Sequence, residues 1–313
     1  MFKVAIKSKE DEDISILIKV ANHSYNYLCD CGEAKALTVK ECQNINAIFI
    51  SHTHIDHFVN FDTILRHQIG IKRKVVICGP RGIINQVQNR IKSYCWNLIE
   101  KDAISYEIRE ILTKNKIKTT ILNPPFWEKE EISETNSTIL FKEKDFIVNF
   151  DILDHKTASI CYLFKENDKT KIELNKNFKG GKWVSELKKA FETNNENLII
   201  TVNNKDYSAK ELFHMVTTQK GKKVGVIMDH SANTENHNKI KELFLNTDEV
   251  YIECFYKDED KEFAVKNYHS YASMSGKIMK ETNVKNAIPV HFSRKYNKEE
   301  ILQLIKQFEG AKK

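Results

Sequence analysis

The 313-residue sequence predicts an α/β fold in which helices cover β-sheets. In its first part, short apolar runs of strand length predominate. In its last part, such runs alternate with stretches that carry apolar residues at helical spacing. This order, with strands first and then strands that alternate with helices, is typical of sheets that bury one face against helices.

Predicted strands in the first half are separated by recognisable turns or helices. The strands are ISILIKV (14–20), YNYLCDCG (25–32), INAIFI (45–50), KVVICGP (74–80) and FIVNF (146–150). Residues 58–70 place Phe58, Phe61, Leu65 and Ile69 on one helical face. A second helix is expected to start at Pro80, since proline suits the first helical position. Residues 97–150 are less readable apart from the strand FIVNF.

The second half predicts buried strands joined by helices. The strands are SICYLF (159–164), KVGVIM (223–228), EVYIEC (249–254) and NAIPV (286–290), with helices at 234–246 and 270–282. Between them, residues 165–195 are rich in Lys, Asn and Glu and contain Gly180-Gly181 and Trp183. That composition predicts a surface insertion. Trp183 is expected to pack within it.

Composition excludes several classes of protein. Seven scattered cysteines without a C-x-x-C pair favour reduced thiols in a cytoplasmic protein over a disulfide framework or a zinc ribbon. The charged N-terminus has no apolar segment typical of a signal peptide. No run approaches the roughly 18 apolar residues of a membrane span, so no membrane partner is expected. The net charge of +6 suits an anionic substrate without requiring one.

Residues 50–58, ISHTHIDHF, concentrate metal-ligand chemistry directly after a predicted strand. Three histidines and an aspartate, His52, His54, Asp56 and His57, fall within six positions. Imidazole nitrogens and carboxylate oxygens are good zinc ligands, yet four from one tight loop cannot surround one ion tetrahedrally. Two metal ions would accommodate all four ligands, with His52 and His54 binding one ion and Asp56 and His57 facing the other. Paired metals are a known device for hydrolysis.

Further candidate ligands stand where other predicted strands end. His155 follows FIVNFDILD, Asp229 ends KVGVIM, and His291 ends NAIPV. Active sites of α/β folds gather at carboxyl ends of strands, so these segments point to one shared site. The two oxygens of Asp229 suit a bridge between metals. His269 precedes a predicted helix with Ser270 as N-cap, a position where it can act as a general acid.

These motifs resemble a known family. HTHIDH (52–57) resembles the H-x-H-x-D-H signature of the metallo-β-lactamase fold. The segments DHKTASICYLF (154–164), IMDHSAN (227–233), YHSYAS (268–273) and VHFSRKY (290–296) resemble motifs of ribonuclease Z, the tRNA 3′-processing endonuclease. CDCGEA (29–34) and CGPRG (78–82) match two more family motifs. The resemblance runs from about residue 25 to 296.

The resemblance implies an αββα sandwich forming a single domain over 1–313, with 165–195 as an inserted arm. It implies two divalent ions, Zn²⁺ by the family's pattern, although such ligands also accept manganese or iron. His52, His54 and His155 would hold one ion, Asp56, His57 and His291 the other, and Asp229 would bridge them. A metal-activated hydroxide would attack phosphorus.

Roles and partners also follow from the resemblance. Asp56 would orient or deprotonate the attacking water, and His269 would protonate the departing ribose 3′-oxygen. Precursor tRNA would be the substrate, with no DNA partner expected. The protein would be a homodimer in which the arm of one subunit serves its neighbour's active site.

The sequence departs from the family at several positions. The glycine-rich opening strand is absent, and Phe58-Val59 replaces a Gly-Leu pair. The arm carries FKGGKW in place of a proline-rich run, which bears on tRNA recognition more than on cleavage. Lys295 replaces an arginine. His230 replaces a threonine and is expected to pack near the site without joining it.

Three alternatives remain open at the level of sequence. A hydrolase of another phosphodiester or of a small-molecule ester would keep the metals and lack the tRNA grip. A glyoxalase-type thioesterase would share the H-x-H-x-D-H loop without needing YHSYAS or the HFS ending. A non-catalytic RNA-binding relative would have lost ligands, whereas all seven are present here.

Overall fold

A computed structural model describes residues 2–174 and 178–313. Over these ranges the chain forms eighteen strands, nine of which match the nine predicted apolar runs closely. The strands are β1 (Phe2–Ile6), β2 (Ile16–Val20), β3 (Asn26–Cys29), β4 (Ile45–Phe49), β5 (Lys74–Pro80), β6 (Ser105–Thr113), β7 (Lys116–Leu122), β8 (Lys129–Asn136), β9 (Ile139–Lys142), β10 (Phe146–Asp154), β11 (Ala158–Glu166), β12 (Lys169–Ile172), β13 (Ile199–Val202), β14 (Lys205–Ser208), β15 (Val216–Gln219), β16 (Lys223–Ile227), β17 (Glu249–Glu253) and β18 (Asn286–Val290).

Helices separate many of these strands, and two 3₁₀ turns lie at Phe213–Met215 and Asp258–Asp260. The α-helices are α1 (Val39–Gln43), α2 (Ile55–Phe58), α3 (Phe61–Gln68), α4 (Ile83–Lys92), α5 (Trp183–Glu192), α6 (Ala209–Leu212), α7 (Thr234–Phe244), α8 (Lys261–Lys266), α9 (Ala272–Glu281) and α10 (Lys298–Lys312). Within the described residues, no helix is both long and apolar enough to span a membrane.

Two sheets pack face to face in the larger part of the chain, residues 1–165 and 222–313. One has the order β1-β2-β3-β4-β5-β6-β7-β8, and the other has the order β18-β17-β16-β11-β10-β9. Aromatic side chains from both sheets, among them Tyr27, Phe49, Phe146 and Phe164, fill the space between them. A second apolar layer joins the first sheet to α3 and α4, and a third joins the other sheet to α7, α9 and α10. The predicted sandwich of helix, sheet, sheet and helix is therefore confirmed.

The carboxyl ends of several strands meet at one edge of the second sheet. β16, β17 and β18 are parallel neighbours. β11 is antiparallel to β16, and the tight turn between β10 and β11 makes β10 run in the direction of β16. The loops after β10, β16, β17 and β18 therefore converge, as the sequence predicted for its candidate ligands.

Two predicted helix starts were wrong. Pro80 is the last residue of β5, and α4 begins only at Ile83, because Gly82 adopts a left-handed φ of 99° before the helix. Ser270 is not an N-cap, since α9 begins at Ala272 after Tyr271. The hydroxyl of Ser270 is instead buried and lies 2.8 Å from that of Ser275.

Two regions in which no strand or helix was predicted, the middle segment before FIVNF and the C-terminal segment, are regular. Residues 97–150 contain the antiparallel strands β6, β7 and β8, whose long hairpins extend the first sheet. β8 is exposed along its length, so it lacks the apolar alternation that marks a half-buried strand. The C-terminal α10 starts at a capping box formed by Asn297 and Glu300.

Residues 166–221 form a separate compact unit. It contains the hairpin β13–β14, the pair β12–β15, and the helices α5 and α6. Its own apolar core includes Trp183, Leu187, Leu212 and Met215. The insertion predicted at 165–195 overlaps the first half of this unit, and residues 175–177 of that prediction lie outside the described residues.

Candidate metal centre

The structure brings all seven candidate ligands together at the converging loops. His52 and His54 follow β4, Asp56 and His57 lie in α2, and the others follow strands of the second sheet. These ligands form two groups, each with ligand atoms within 4.8 Å of one another, and a third such group consists of Asp229, Glu253 and His269. The first group is His52, His54, His155 and Asp229, and the second is Asp56, His57 and His291.

Distances in the first group fit one shared cation. Nε2 of His52 lies 2.9 Å from Nδ1 of His54 and 3.7 Å from Oδ2 of Asp229. Nε2 of His155 lies 3.4 Å from the same oxygen. Ligand atoms about 2.1 Å from a tetrahedral zinc ion lie about 3.4 Å apart. The observed separations bracket that value.

The second group has similar spacing. Nε2 of His57 and Nε2 of His291 each lie 3.5 Å from Oδ2 of Asp56. Asp229 joins the groups, because its Oδ1 lies 3.5 Å from His57 and 3.0 Å from His291, while its Oδ2 faces the first group. One carboxylate thus presents one oxygen to each set of imidazoles.

Buried atoms without hydrogen bonds support the fit of a cation. Among the described residues, Nε2 of His57, Oδ1 of Asp229 and Nδ1 of His291 are buried and form no hydrogen bond of acceptable geometry. Buried polar atoms are almost always paired in native proteins. Imidazole nitrogens and a carboxylate that converge without partners are the donor set expected for a divalent metal.

Neighbouring groups hold the ligands in place. Oδ2 of Asp30, buried at the end of β3, lies 2.7 Å from Nδ1 of His57 and accepts a bond from the Ser51 hydroxyl. The carbonyl of Tyr268 lies 2.7 Å from Nδ1 of His155. These contacts place a proton on Nδ1 of each imidazole and direct Nε2 into the site, as in known metal sites.

Backbone strain also accumulates here. Asp30, Tyr268 and His291 have φ values of 54°, 60° and 58°, in the left-handed region that side chains other than glycine seldom adopt. Such conformations persist where surrounding contacts enforce them, and they cluster at functional sites.

The electrostatics of the two groups differ. Burial, reinforced by His57, lowers the pKa of His52 to about 2. Burial alone would also lower the pKa of His291, but Asp229 outweighs it and raises that pKa to about 9. Burial raises the pKa of Asp229, yet His291 and His57 hold it well below its usual value. The carboxylates therefore require positive charge, which protonated imidazoles or bound cations supply.

His269 lies beside this cluster without belonging to either ligand group. Its Nδ1 is 3.8 Å from Oδ2 of Asp229 and makes a short hydrogen bond to Oε1 of Glu253. Glu253 was not predicted as a site residue from the sequence. The signal was present, because Glu253 ends an apolar strand, as the candidate ligands do.

Glu253 connects His269 to the protein interior. It is fully buried, and its Oε2 accepts a 2.9 Å hydrogen bond from the backbone N–H of His230. Burial raises the pKa of Glu253, but His269 outweighs burial and lowers it to about 2. Burial likewise lowers the pKa of His269, and Glu253 reverses this and raises it. Glu253 therefore favours the protonated form of His269.

His230 packs next to the site without entering it. Its side chain is fully buried, with Nδ1 2.9 Å from the carbonyl of Met228 and 3.1 Å from Oε2 of Glu253. Both neighbours are acceptors, so Nδ1 carries the proton. His230 contacts the partner of His269 and belongs to none of the three candidate metal groups among the described residues.

Known proteins resemble this chain over most of its length. Ribonuclease Z of Borreliella burgdorferi is 29% identical over 292 residues, which cover 90% of this chain and 81% of that protein. No protein-family model matches the chain. The resemblance to ribonuclease Z predicted from the motifs is confirmed.

Solved structures identify the fold. The short form of human tRNase Z superposes with a TM-score of 0.60 at 16% identity, covering 94% of each chain. The metallo-β-lactamase fold protein YhfI from Bacillus subtilis gives 0.58 at 14% identity, covering 99% of this chain and 92% of that one. The chain has the metallo-β-lactamase fold, as the sequence predicted.

Proposed function

We propose that this protein is a ribonuclease Z-like, metal-dependent endoribonuclease that removes 3′ trailers from precursor tRNA. One observation carries the proposal: two groups of candidate metal ligands share Asp229, and the His269–Glu253 pair lies at their side. Hydrolysis of a phosphodiester needs a nucleophilic water, stabilisation of charge on phosphorus and a proton for the leaving oxygen. Each need has a matching group in this cluster.

Two metal ions would be held by the groups described above. When bound, such ions lower the pKa of water toward about 7 and stabilise charge on phosphoryl oxygens. Asp56 suits the orientation or deprotonation of the water. Burial raises its pKa, but His291 and His57 hold it well below the usual value, so the carboxylate stays ionised. Its side chain is 35% exposed, so it can meet both water and substrate.

His269 acts as the proton donor in this proposal. Water adds to phosphorus, the bond from phosphorus to the ribose 3′-oxygen breaks, and that oxygen takes the proton of His269. The products are RNA with a 3′-hydroxyl and a trailer with a 5′-phosphate. Glu253 raises the pKa of His269, which favours the protonated donor, and it leaves Nε2 free to act because Nδ1 is occupied by the carboxylate.

We propose zinc as the metal. The first group offers three imidazoles and one carboxylate oxygen, a donor set that zinc accepts readily. Manganese and iron accept similar ligands. Elemental analysis of protein purified without chelator is expected to find two zinc ions per chain.

Recognition of tRNA is proposed for the unit Glu166–Gly221. It carries exposed lysines, among them Lys179, Lys182 and Lys189, which suit phosphate contacts. Trp183 is not available for base stacking, because it is buried in the unit's own core. Support for tRNA as the substrate comes from the relatives named ribonuclease Z.

We further propose a homodimer located in the cytosol. The resemblance to ribonuclease Z supports the dimer, and sedimentation equilibrium is its direct test. All seven cysteines are free thiols and six are buried, which suits a reducing compartment.

The decisive experiment compares two substrates with the zinc-loaded protein. A labelled precursor tRNA should be cut once near the 3′ end of its acceptor stem, leaving a 3′-hydroxyl. Bis(p-nitrophenyl) phosphate, a small diester, should also be hydrolysed. Asp229→Ala serves as the control for contaminating nuclease, since it removes the shared carboxylate and should be inactive on both.

A second candidate function is hydrolysis of another phosphodiester or small ester. The arm segment FKGGKW favours it, because it lacks the proline-rich run that ribonuclease Z arms carry. If the protein hydrolyses the small diester but leaves precursor tRNA uncleaved, this alternative is established and the tRNA proposal fails. Loss of both activities in fully metal-loaded protein would contradict both.

A further inference from the structure

Phe255 lies two residues after β17, and its ring stacks on the imidazole of His269. The ring centroids are 4.0 Å apart and the planes differ by only 6°. The same phenyl ring lies 5.1 Å from the imidazole of His291 at an angle of 34°. Phe255 therefore contacts both the proposed proton donor and a proposed metal ligand, whose own ring centroids lie 6.5 Å apart.

The hydrogen bond from His269 to Glu253 does not by itself fix the imidazole. A bond at one ring nitrogen restrains the position of that atom, but the ring can still tilt about it. The direction of Nε2 depends on the plane of the ring. His155 and Tyr256 meet the imidazole at 62° and 76°, so they contact it edge to face.

Among the described side chains, Phe255 makes the closest flat contact with the imidazole, since the near-parallel ring of His291 is tilted by 29° and its centroid lies 6.5 Å away. A flat contact restrains the ring plane that the hydrogen bond leaves free. The face of a phenyl ring also attracts a cation, so a protonated imidazole gains from parallel stacking. Phe255 is half-buried, which limits the space for water on that face of His269.

We propose that Phe255 is a positioning residue for the proton donor His269. Its ring sets the imidazole plane and thereby aims the Nε2 proton at the leaving oxygen. This inference rests on the proposed phosphodiester hydrolysis. It predicts that loss of the ring affects leaving groups that need a proton and spares those that leave without one.

The test replaces the ring and varies the leaving group. Phe255→Leu removes the flat surface and stays apolar, while Phe255→Tyr keeps the ring. With precursor tRNA, whose ribose 3′-oxygen requires a proton, Phe255→Leu should lower kcat by about 10- to 100-fold. With bis(p-nitrophenyl) phosphate, whose nitrophenolate leaves unprotonated, kcat should change less than about twofold. Phe255→Tyr should behave as the parent protein on both substrates.

A spectroscopic measurement follows the stack independently of activity. The phenyl ring should shift the C–H proton resonances of His269 upfield in the zinc-loaded protein. These shifts should vanish in Phe255→Leu and persist in Phe255→Tyr. Phe263→Leu is the matched control, since it makes the same change at an exposed phenylalanine on α8. If Phe255→Leu does not fold, Phe255→Met replaces it.

The outcomes separate this inference from the proposed function. The role of Phe255 would be overturned if Phe255→Leu lost kcat equally on both substrates or lost none on RNA. It would also be overturned if the His269 resonances were unchanged in Phe255→Leu. If the parent protein cleaves no RNA, the tRNA proposal fails, and the resonances alone decide whether Phe255 orients His269. A selective loss on RNA with loss of the upfield shifts supports the inference.

Discussion

Asp229 is buried with both carboxylate oxygens facing imidazoles, an arrangement that is unfavourable unless positive charge surrounds it. The loop of His52 to His57 cannot supply that arrangement alone. His155 and His291 come from segments far along the chain and complete it. At the residue scale, the site depends on a carboxylate whose two oxygens face two different sets of nitrogens.

Removing the imidazole of His269 should separate metal binding from proton donation. His269→Ala is expected to fold normally and retain both metals, because His269 belongs to neither of the two principal ligand groups. Single-turnover cleavage of precursor tRNA should fall by at least about 10²-fold, the usual scale for a lost general acid. Elemental analysis and circular dichroism serve as controls. Unchanged cleavage would remove His269 from the mechanism.

The pH dependence of cleavage should reveal the role of Glu253. Glu253 raises the pKa of His269, and proton donation is lost as pH rises through that raised pKa. Glu253→Gln removes the negative charge, so the alkaline fall of kcat should move to lower pH. Glu259→Gln, at an exposed glutamate, is the control and should leave the profile in place. An unshifted alkaline limb in Glu253→Gln would show that another group donates the proton.

At the scale of elements, α9 and α10 pack so closely that one position excludes any side chain. A Cβ at Gly276 would lie 2.3 Å from the carbonyl oxygen of Phe308 and 3.1 Å from Cβ of Ala311. Both are atoms that cannot rotate away. The pair covers the second sheet, whose strand ends carry Asp229, Glu253 and His291.

Gly276→Ala should therefore force these helices apart. Urea unfolding is expected to show a loss of about 1 to 3 kcal/mol, the usual range for overpacking. Gly310→Ala is the matched control within α10, where an added Cβ meets nothing within 4 Å. That change should be neutral or stabilise by up to about 1 kcal/mol, because alanine favours a helix over glycine. Equal effects of the two changes would contradict this packing.

The compact unit Glu166–Gly221 should contribute to RNA binding and not to chemistry. Reversing the charge of Lys179, Lys182 and Lys189 to Glu is expected to weaken binding of precursor tRNA. The slope of log affinity against log salt should also become shallower, because fewer counterions are released. Hydrolysis of bis(p-nitrophenyl) phosphate should stay unchanged. Both binding and turnover are measured over a salt series.

The control for this experiment makes the same charge change outside the unit. Lys266, Lys280 and Lys306 are exposed lysines on helices α8, α9 and α10. If their reversal weakens tRNA binding as much as the arm variant does, the effect reflects net charge and the unit has no special role.

At the scale of the whole molecule, buried charge at the site links metal binding to stability. Ions that bind only the folded state stabilise it by about 2.7 kcal/mol at a free concentration of 100 Kd. Removing metal with a chelator should therefore lower the thermal midpoint by several degrees, and added zinc should restore it. Asp229→Ala protein, which lacks the shared ligand, should respond much less. A midpoint indifferent to metal would contradict the metal centre.

Local sequence patterns were sufficient to predict many of the strands, helices and candidate ligands of this protein. Apolar periodicity and ligand type are local properties of a sequence. They therefore predicted the strands before and after the ligand loop, the helices at 58–70 and 234–246, and the identity of the seven candidate ligands. The order of the motifs along the chain also indicated the resemblance to ribonuclease Z. The exposed β8 and the start of α9 could not be read, since neither follows from a local apolar pattern.

Tertiary structure alone decided which side chains meet. Glu253 ends an apolar strand as the candidate ligands do, but the sequence does not indicate that it contacts His269 sixteen positions away. Asp30 meets His57, and Phe255 stacks on His269, for the same reason. The sequence by itself determined the chemistry available, because residue type sets which atoms bind metals or protons. Their distances and orientations depend on how strands far apart in the chain pack together, and only the folded structure defines that.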